Sequence, residues 1–178
     1  MTRWILWLFA GLLLGGIVHL STVLALPRTA AHDAYARLAD ITPVNRVVPL
    51  PKSQSTILPF TDPAFAAAVC RYDLSRGSLK LTAPISQAYT AVSFYTRYGI
   101  AYYAINDRAA GRKVIELDLM TTRQREEMPE EEDVTAADRL IVESPTLTGL
   151  IVLKALSPEP ALMPMAESAL AAAQCKPQ

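Results

Sequence analysis

The sequence predicts an α+β protein dominated by β-structure: an N-terminal transmembrane helix, then an antiparallel β-sandwich or jelly-roll-like domain, then a C-terminal helix. Three observations carry this reading. Trp4 to Leu26 runs 23 residues without Asp, Glu, Lys or Arg. Seven short segments rich in Val, Ile, Thr, Tyr and Leu, punctuated by Gly or Pro, follow between residues 69 and 156. Met165–Gln174 is then a run of strong helix formers, mostly alanine, leucine and glutamate.

Composition bounds the answer from the other side. With 178 residues, 51% hydrophobic and 19% charged, and a mean hydropathy of +0.21, the chain holds about one globular unit and is too apolar to be disordered throughout. Lys+Arg and Asp+Glu are 17 each, so there is no net positive field for a phosphate backbone and nucleic acid is not an expected partner. The balance conceals a division: residues 1–113 carry 12 basic and 5 acidic side chains, residues 114–178 carry 5 and 12. Two such halves attract if they fold onto each other, or form a bipolar surface that docks a partner.

As a helix, Trp4–Leu26 spans about 34 Å, enough for a hydrocarbon core of about 30 Å. Trp4 and Trp7 suit one interface and Pro27 stops the helix at the other. A signal peptide cleaved near Val23-Leu24-Ala25 is the competing reading, but the run exceeds the roughly 7–15 residues of a signal core, which favours an uncleaved anchor. Arg3 on one side against Arg28 and Arg37 on the other nearly balances the positive-inside count, and the short tail argues for an exported domain. Gly11 and Gly15 have the small-xxx-small spacing of a helix contact, the route to a homodimer through the anchor. His19 is the one ionisable side chain within the segment.

The expected organisation is therefore an anchor at 1–27, a proline-rich spacer at 28–61 and a β-rich periplasmic domain at 62–178. The stretch 27–63 holds six of the 13 prolines, so only a short helix at His32–Ala39 and an extended run through Val47, Val48 and Leu50 are expected there. Asp62-Pro-Ala-Phe resembles an N-cap opening an alanine-rich helix. The strands expected next are Val69–Leu74, Leu79–Thr82, Ala88–Thr96, Ile100–Ile105, Lys113–Leu119, Leu140–Glu143 and Leu150–Leu156. Glycine turns fall at Thr96–Gly99 and Asp107–Gly111, and an acidic loop or short helix is expected over Thr121–Ala137.

Little in the sequence points to catalysis. His19 and His32 are the only histidines, so residues 38–178 lack the base of a Ser-His-Asp or Cys-His mechanism. Zinc spacings and phosphate loops are missing as well, and neither a metal nor another cofactor is expected. Carboxylates such as Asp73 and Asp107 keep one enzymatic alternative open, an envelope enzyme with divided acid and base roles. Cys70 and Cys175 are the whole cysteine inventory. In an exported domain they invite a disulfide fastening the C-terminal helix to the first strand, and two unlinked thiols are the alternative. Five of seven tyrosines lie between Tyr89 and Tyr103; Tyr89, Tyr95 and Tyr102, with Asp107 and Arg108, form a candidate ligand groove, against the simpler account of cross-strand aromatic pairs. Tyr102 and Tyr103, being adjacent, are expected on opposite faces of their strand. Six carboxylates within Glu126–Asp133 read as a solvated loop, with weak cation binding the lesser reading.

The stretch Cys-Arg-Tyr-Asp-Leu-Ser-Arg-Gly-Ser-Leu-Lys-Leu-Thr-Ala-Pro from Cys70 to Pro84, with Tyr89-Thr-Ala-Val-Ser-Phe-Tyr to Tyr95 and Ile105-Asn-Asp-Arg to Arg108, resembles the bacterial family called domain of unknown function 1254. The likeness covers about residues 62–156. It implies an envelope-associated β-sandwich, often accompanied by a domain of unknown function 1214, and brings no established catalytic residues. The expectation is thus a single-pass inner-membrane protein whose periplasmic domain binds or interacts without catalysis. Its partners would be the bilayer and a membrane or periplasmic protein. The alternatives are the carboxylate-dependent envelope enzyme and a small subunit of a membrane complex.

Overall fold

The computed structural model describes residues 2–29, 33–51, 62–111, 113–128 and 140–178. The chain divides into two compact units, one ending at Asp33 and one spanning Ala34–Gln178. The first consists of helix α1 (Thr2–Thr29). Its segment Arg3–Leu26 is long and apolar enough to cross a membrane.

The second unit is β-dominated α+β. A short helix, α2 (Ala34–Ala39), precedes β1 (Val47–Pro49), β2 (Phe65–Asp73), β3 (Leu79–Pro84), β4 (Thr90–Thr96) and β5 (Ala101–Asn106). After one turn of helix, α3 (Asp107–Ala110), come β6 (Val114–Thr121), α4 (Thr122–Glu126), β7 (Leu140–Ser144) and β8 (Thr148–Leu156). A 3₁₀ turn at Pro160–Leu162 leads into α5 (Met163–Ala171) and β9 (Gln174–Pro177). One sheet has the order β1-β2-β8-β4-β5 and the other β7-β6-β3-β9.

Strict alternation builds the sandwich core. Ala68, Val92 and Leu153 share one register row, Cys70, Phe94 and Ile151 another, and all are buried. The second sheet answers with Leu79, Leu81, Leu117, Leu119, Val142 and Cys175, which belong to the same buried cluster. Each buried Val, Leu, Ile or Phe among them contributes roughly 1.5–3 kcal/mol by leaving water, so the pattern of period two fixes which face turns inward. Cys70 on the five-stranded sheet and Cys175 on β9 of the other are joined by a disulfide across the interior. Helix α5 adds Ala166 and Leu170 to the core.

The outer face of the five-stranded sheet is covered too. Leu38 of α2 packs with Val69 and Leu150, flanked by Tyr35, Ile41, Leu50, Tyr95 and Val152. The guanidinium carbons of Arg71 and Arg97 lie 5.5 and 4.3 Å from the centroid of the Tyr35 ring. Arg71 Nε is buried without a hydrogen-bond partner, so the aromatic ring is what faces its charge.

Several details differ from the sequence expectation. Residues 34–51 are not a spacer, since α2 and β1 belong to the folded unit and β1 pairs with β2. Asp62 opens no helix. Its Oδ1 accepts a hydrogen bond from Ala64 N at 2.9 Å, and that turn runs straight into β2, whose Ala66 and Ala68 are buried in the core. The C-terminal helix stops at Ala171, and Cys175 lies in a strand, so the disulfide fastens β9 rather than the helix. The pair β6–β7 is parallel. Of the acidic run, Glu126 ends α4, and Glu130, Glu131, Glu132 and Asp133 lie outside the described residues, as does His32.

Two variants test this core. At Gly149 an added Cβ would overlap the hydroxyl of Tyr72 and the carbonyl oxygen of Tyr95, and the latter is backbone that cannot swing away. We expect Gly149→Ala to destabilise the domain by about 3 kcal/mol in a urea titration. Cys175→Ser opens a bridge between residues 105 apart in sequence. It should cost about 2–4 kcal/mol and lower the thermal midpoint by roughly 5–15 °C, an effect that a reduced wild-type sample reproduces.

Candidate functional site

A cleft of about 560 Å³ opens beside the β2–β3 turn, lined by Val44, Asn45, Arg46, Asp73, Ser75, Arg76, Gly77 and Pro177. Three separate stretches of chain build it, and each is pinned. Asn45 holds a left-handed backbone (φ 58°), a conformation asparagine tolerates better than most residues. Its N–H donates to Arg71 O at 2.8 Å, its Oδ1 accepts from Asp73 N at 2.8 Å and its Nδ2 donates to Asp73 O at 3.2 Å. Asn45 thus reads the end of β2 as a third strand would, and delivers Arg46 to the cleft.

The opposite wall is the turn Leu74–Gly77, closed by Gly77 N donating to Leu74 O at 3.4 Å. Gln124 of α4 also donates to Leu74 O, at 2.8 Å, while Leu74 N donates to Leu147 O. Gly77 adopts φ 152°, and a Cβ there would meet Gln178 O at 3.1 Å, so glycine lets the C-terminal segment close in beside Pro177. Ser75 N donates to Asp73 Oδ1 at 2.9 Å. The Ser75 backbone N–H and hydroxyl, helped by the charge of Arg76 and opposed by slight burial, hold the Asp73 carboxyl below its ordinary range.

The candidate groove residues do not converge. Leu156 N donates to Tyr89 O, whereas Tyr95 pairs with Leu150 six residues back along β8. Tyr95 lies on the outer face under α2. Tyr102 turns inward: its hydroxyl lies 3.1 Å from that of Tyr72, which in turn is 2.9 Å from Ser144 Oγ. Burial keeps the Tyr102 phenol protonated well above its usual range. Asp107 begins α3 behind the Asn106 cap, and Arg108 beside it is exposed. Nor do Tyr102 and Tyr103 face opposite ways. A register shift pairs Phe94 with Tyr103 but Tyr95 with Ala101, which leaves Tyr102 as the extra residue of a bulge, and both rings sit about 6 Å from Phe94 (6.1 and 5.8 Å).

The same registers rule out shared acid–base work by Asp73 and Asp107. Asp73 pairs with Thr148, while Asn106, next to Asp107, reaches Lys154 through Ala91. Six residues along the strands is roughly 20 Å, against at most about 9.5 Å for paired catalytic carboxylates. Among the described residues, no three His, Cys, Asp or Glu side chains gather as metal ligands. At Gly11 and Gly15 of α1 a Cβ would meet nothing within 4 Å. Asn45, Arg46 and Arg76 were not candidates from sequence; the one signal was turn chemistry, Pro43-Val44-Asn45 and Ser75-Arg76-Gly77.

No family model matches the chain, and no curated protein matches it in sequence. Solved structures do share the fold. The VPA0106 protein of Vibrio parahaemolyticus aligns with a TM-score of 0.61 at 11% identity, over 82% of this chain and 34% of that one. An uncharacterized protein of Burkholderia cenocepacia aligns with a TM-score of 0.50, also at 11% identity, over 76% of this chain and 34% of its own. The chain thus spans about a third of the length of each neighbour, and the likeness is one of fold.

Asn45 supplies the test of how the cleft is held. Asn45→Ala removes the side-chain bonds but keeps a Cβ in the left-handed region, whereas Asn45→Gly removes the bonds and the Cβ together. We expect the alanine variant to be the less stable of the two by about 1 kcal/mol, read from urea midpoints.

Proposed function

We propose that the chain is a single-pass protein of the bacterial inner membrane that holds a disulfide-linked β-sandwich in the periplasm as a non-catalytic binding module. In this reading it is a small membrane-anchored relative of the domain of unknown function 1254 family. The observation that carries the proposal is the Cys70–Cys175 bond, whose residues are 0% and 3% exposed. Such bonds form and persist in oxidising compartments. An apolar segment preceding the domain supports delivery there, since Arg3–Leu26 suits a membrane anchor by length and composition. The separation of Asp73 from Asp107 favours binding over the carboxylate mechanism, and the cleft at Asn45–Gly77 offers a preformed surface.

Protease accessibility tests the topology. In intact spheroplasts, added protease should cut the domain away from the anchor, and mass spectrometry of the unreduced protein should show the two hydrogens lost to the bridge. Resistance in intact spheroplasts with cleavage only after lysis would place the domain in the cytoplasm and overturn the reading.

A further inference from the structure

We propose that the cleft at Asn45–Gly77 is an oxyanion site, in which Arg46 and Arg76 hold the phosphate or carboxylate group of a ligand. The inference rests on the reading of the domain as a binding module, but not on which side of the membrane it faces. Its basis is the way charge is distributed around fixed backbone. Two arginines, Arg46 and Arg76, line the cleft together with one acidic side chain, Asp73. One oxygen of that carboxylate is already taken by the Ser75 N–H at 2.9 Å.

Elsewhere on the surface, Arg123 pairs with Glu127 and Arg125 with Glu143. Arg46 and Arg76 are both exposed at the cleft, and of the two only Arg76 lends part of its charge to Asp73. A guanidinium offers a planar fork of donors that matches carboxylate and phosphate oxygens. The two arginines come from separate turns of the chain that line one cleft, Arg46 directly after Asn45 and Arg76 within Leu74–Gly77.

Preorganisation strengthens the case. Asn45, which delivers Arg46, is held by three hydrogen bonds to β2, at Arg71 O and at both backbone groups of Asp73. Arg76 sits in a turn whose Leu74 carbonyl accepts from both Gly77 and Gln124, and whose Gly77 is backed by the C-terminal segment. Little backbone ordering remains to oppose binding. A volume of about 560 Å³ admits a ligand larger than the anion itself, within the range usual for small-molecule sites.

The full chain in uncharged maltoside micelles is the sample, followed by the NMR signals of the Arg46 and Arg76 Nε–H groups and the Gly77 amide. Inorganic phosphate, succinate, and phosphatidylglycerol doped into the micelles are the three probes. At least one should produce saturable shifts at these groups, weakened about tenfold by either Arg46→Ala or Arg76→Ala, while Arg123→Ala leaves them unchanged. Response to a soluble anion assigns a free ligand, and response to the lipid alone assigns a headgroup. No saturable shift with any probe, or an equal response in the Arg46→Ala/Arg76→Ala double variant, would overturn the proposal. Because the micelle has no sides, a failure here is distinct from a failure of the protease assay.

Discussion

The cross-sheet bond between Cys70 and Cys175 supports more of the molecule than its two residues suggest. Strand β9 has four residues and a single neighbour, β3, so its pairing alone is a weak hold on a chain end. Fixing Cys175 to β2 turns that weak edge into a dependable one. Gln178 then donates from its N–H to Ser78 O and from Nε2 to Asp118 Oδ1. The same segment brings Pro177 and the Gln178 carbonyl against Gly77, and with them one wall of the arginine cleft. The cleft therefore inherits one wall from a covalent bond in the interior between the two sheets.

The first sheet is held by an independent device. Its outer face carries Arg71 and Tyr95 on either side of Leu150, a polar and aromatic row that would ordinarily meet water. Helix α2 covers it instead, placing Leu38 on Val69 and Leu150 and the Tyr35 ring beside Arg71 and Arg97. The charge of a partly buried arginine is tolerated because an aromatic face with its negative quadrupole stands where a carboxylate would otherwise be needed. This packing also sets where the chain leaves α2, through Thr42 and Val44, before Asn45 turns it into the cleft.

How much of this was legible in the sequence varies with the range of the interaction. Seven strands could be read because alternation is local, and β2 to β8 each overlap a segment read for them; Asp107–Gly111, expected as a hairpin turn, is instead α3 with its Gly111 cap, which carries the chain from one sheet to the other. β9 was missed because Gln174-Cys175-Lys176-Pro177 is too short to alternate, and its strand character comes entirely from β3. Asp62-Pro63 carries the chemistry of a helix start, yet Ala66 and Ala68 after it are buried in the core as part of β2, a tertiary demand that overrides propensity. Parity failed at Tyr102 because one bulge breaks it. The cleft was not legible at all: residues 45, 73–77 and 177 meet only once β1, β2, β3 and β9 are in register.

The position of β8 bears on how the protein is made. This strand, Thr148–Leu156, lies between β2 and β4, pairing with both along seven or more residues. Until residue 156 has been synthesised, those two earlier strands have no common neighbour, and their inward edges present unpaired N–H and C=O groups. A nascent chain emerging from a ribosome or a translocation channel therefore cannot close the five-stranded sheet progressively. It must wait, with Val92 and Phe94 of β4 uncovered, for β8 to arrive. Through that interval the unpaired strand edges and uncovered apolar side chains are the features that make an incomplete sheet prone to aggregate.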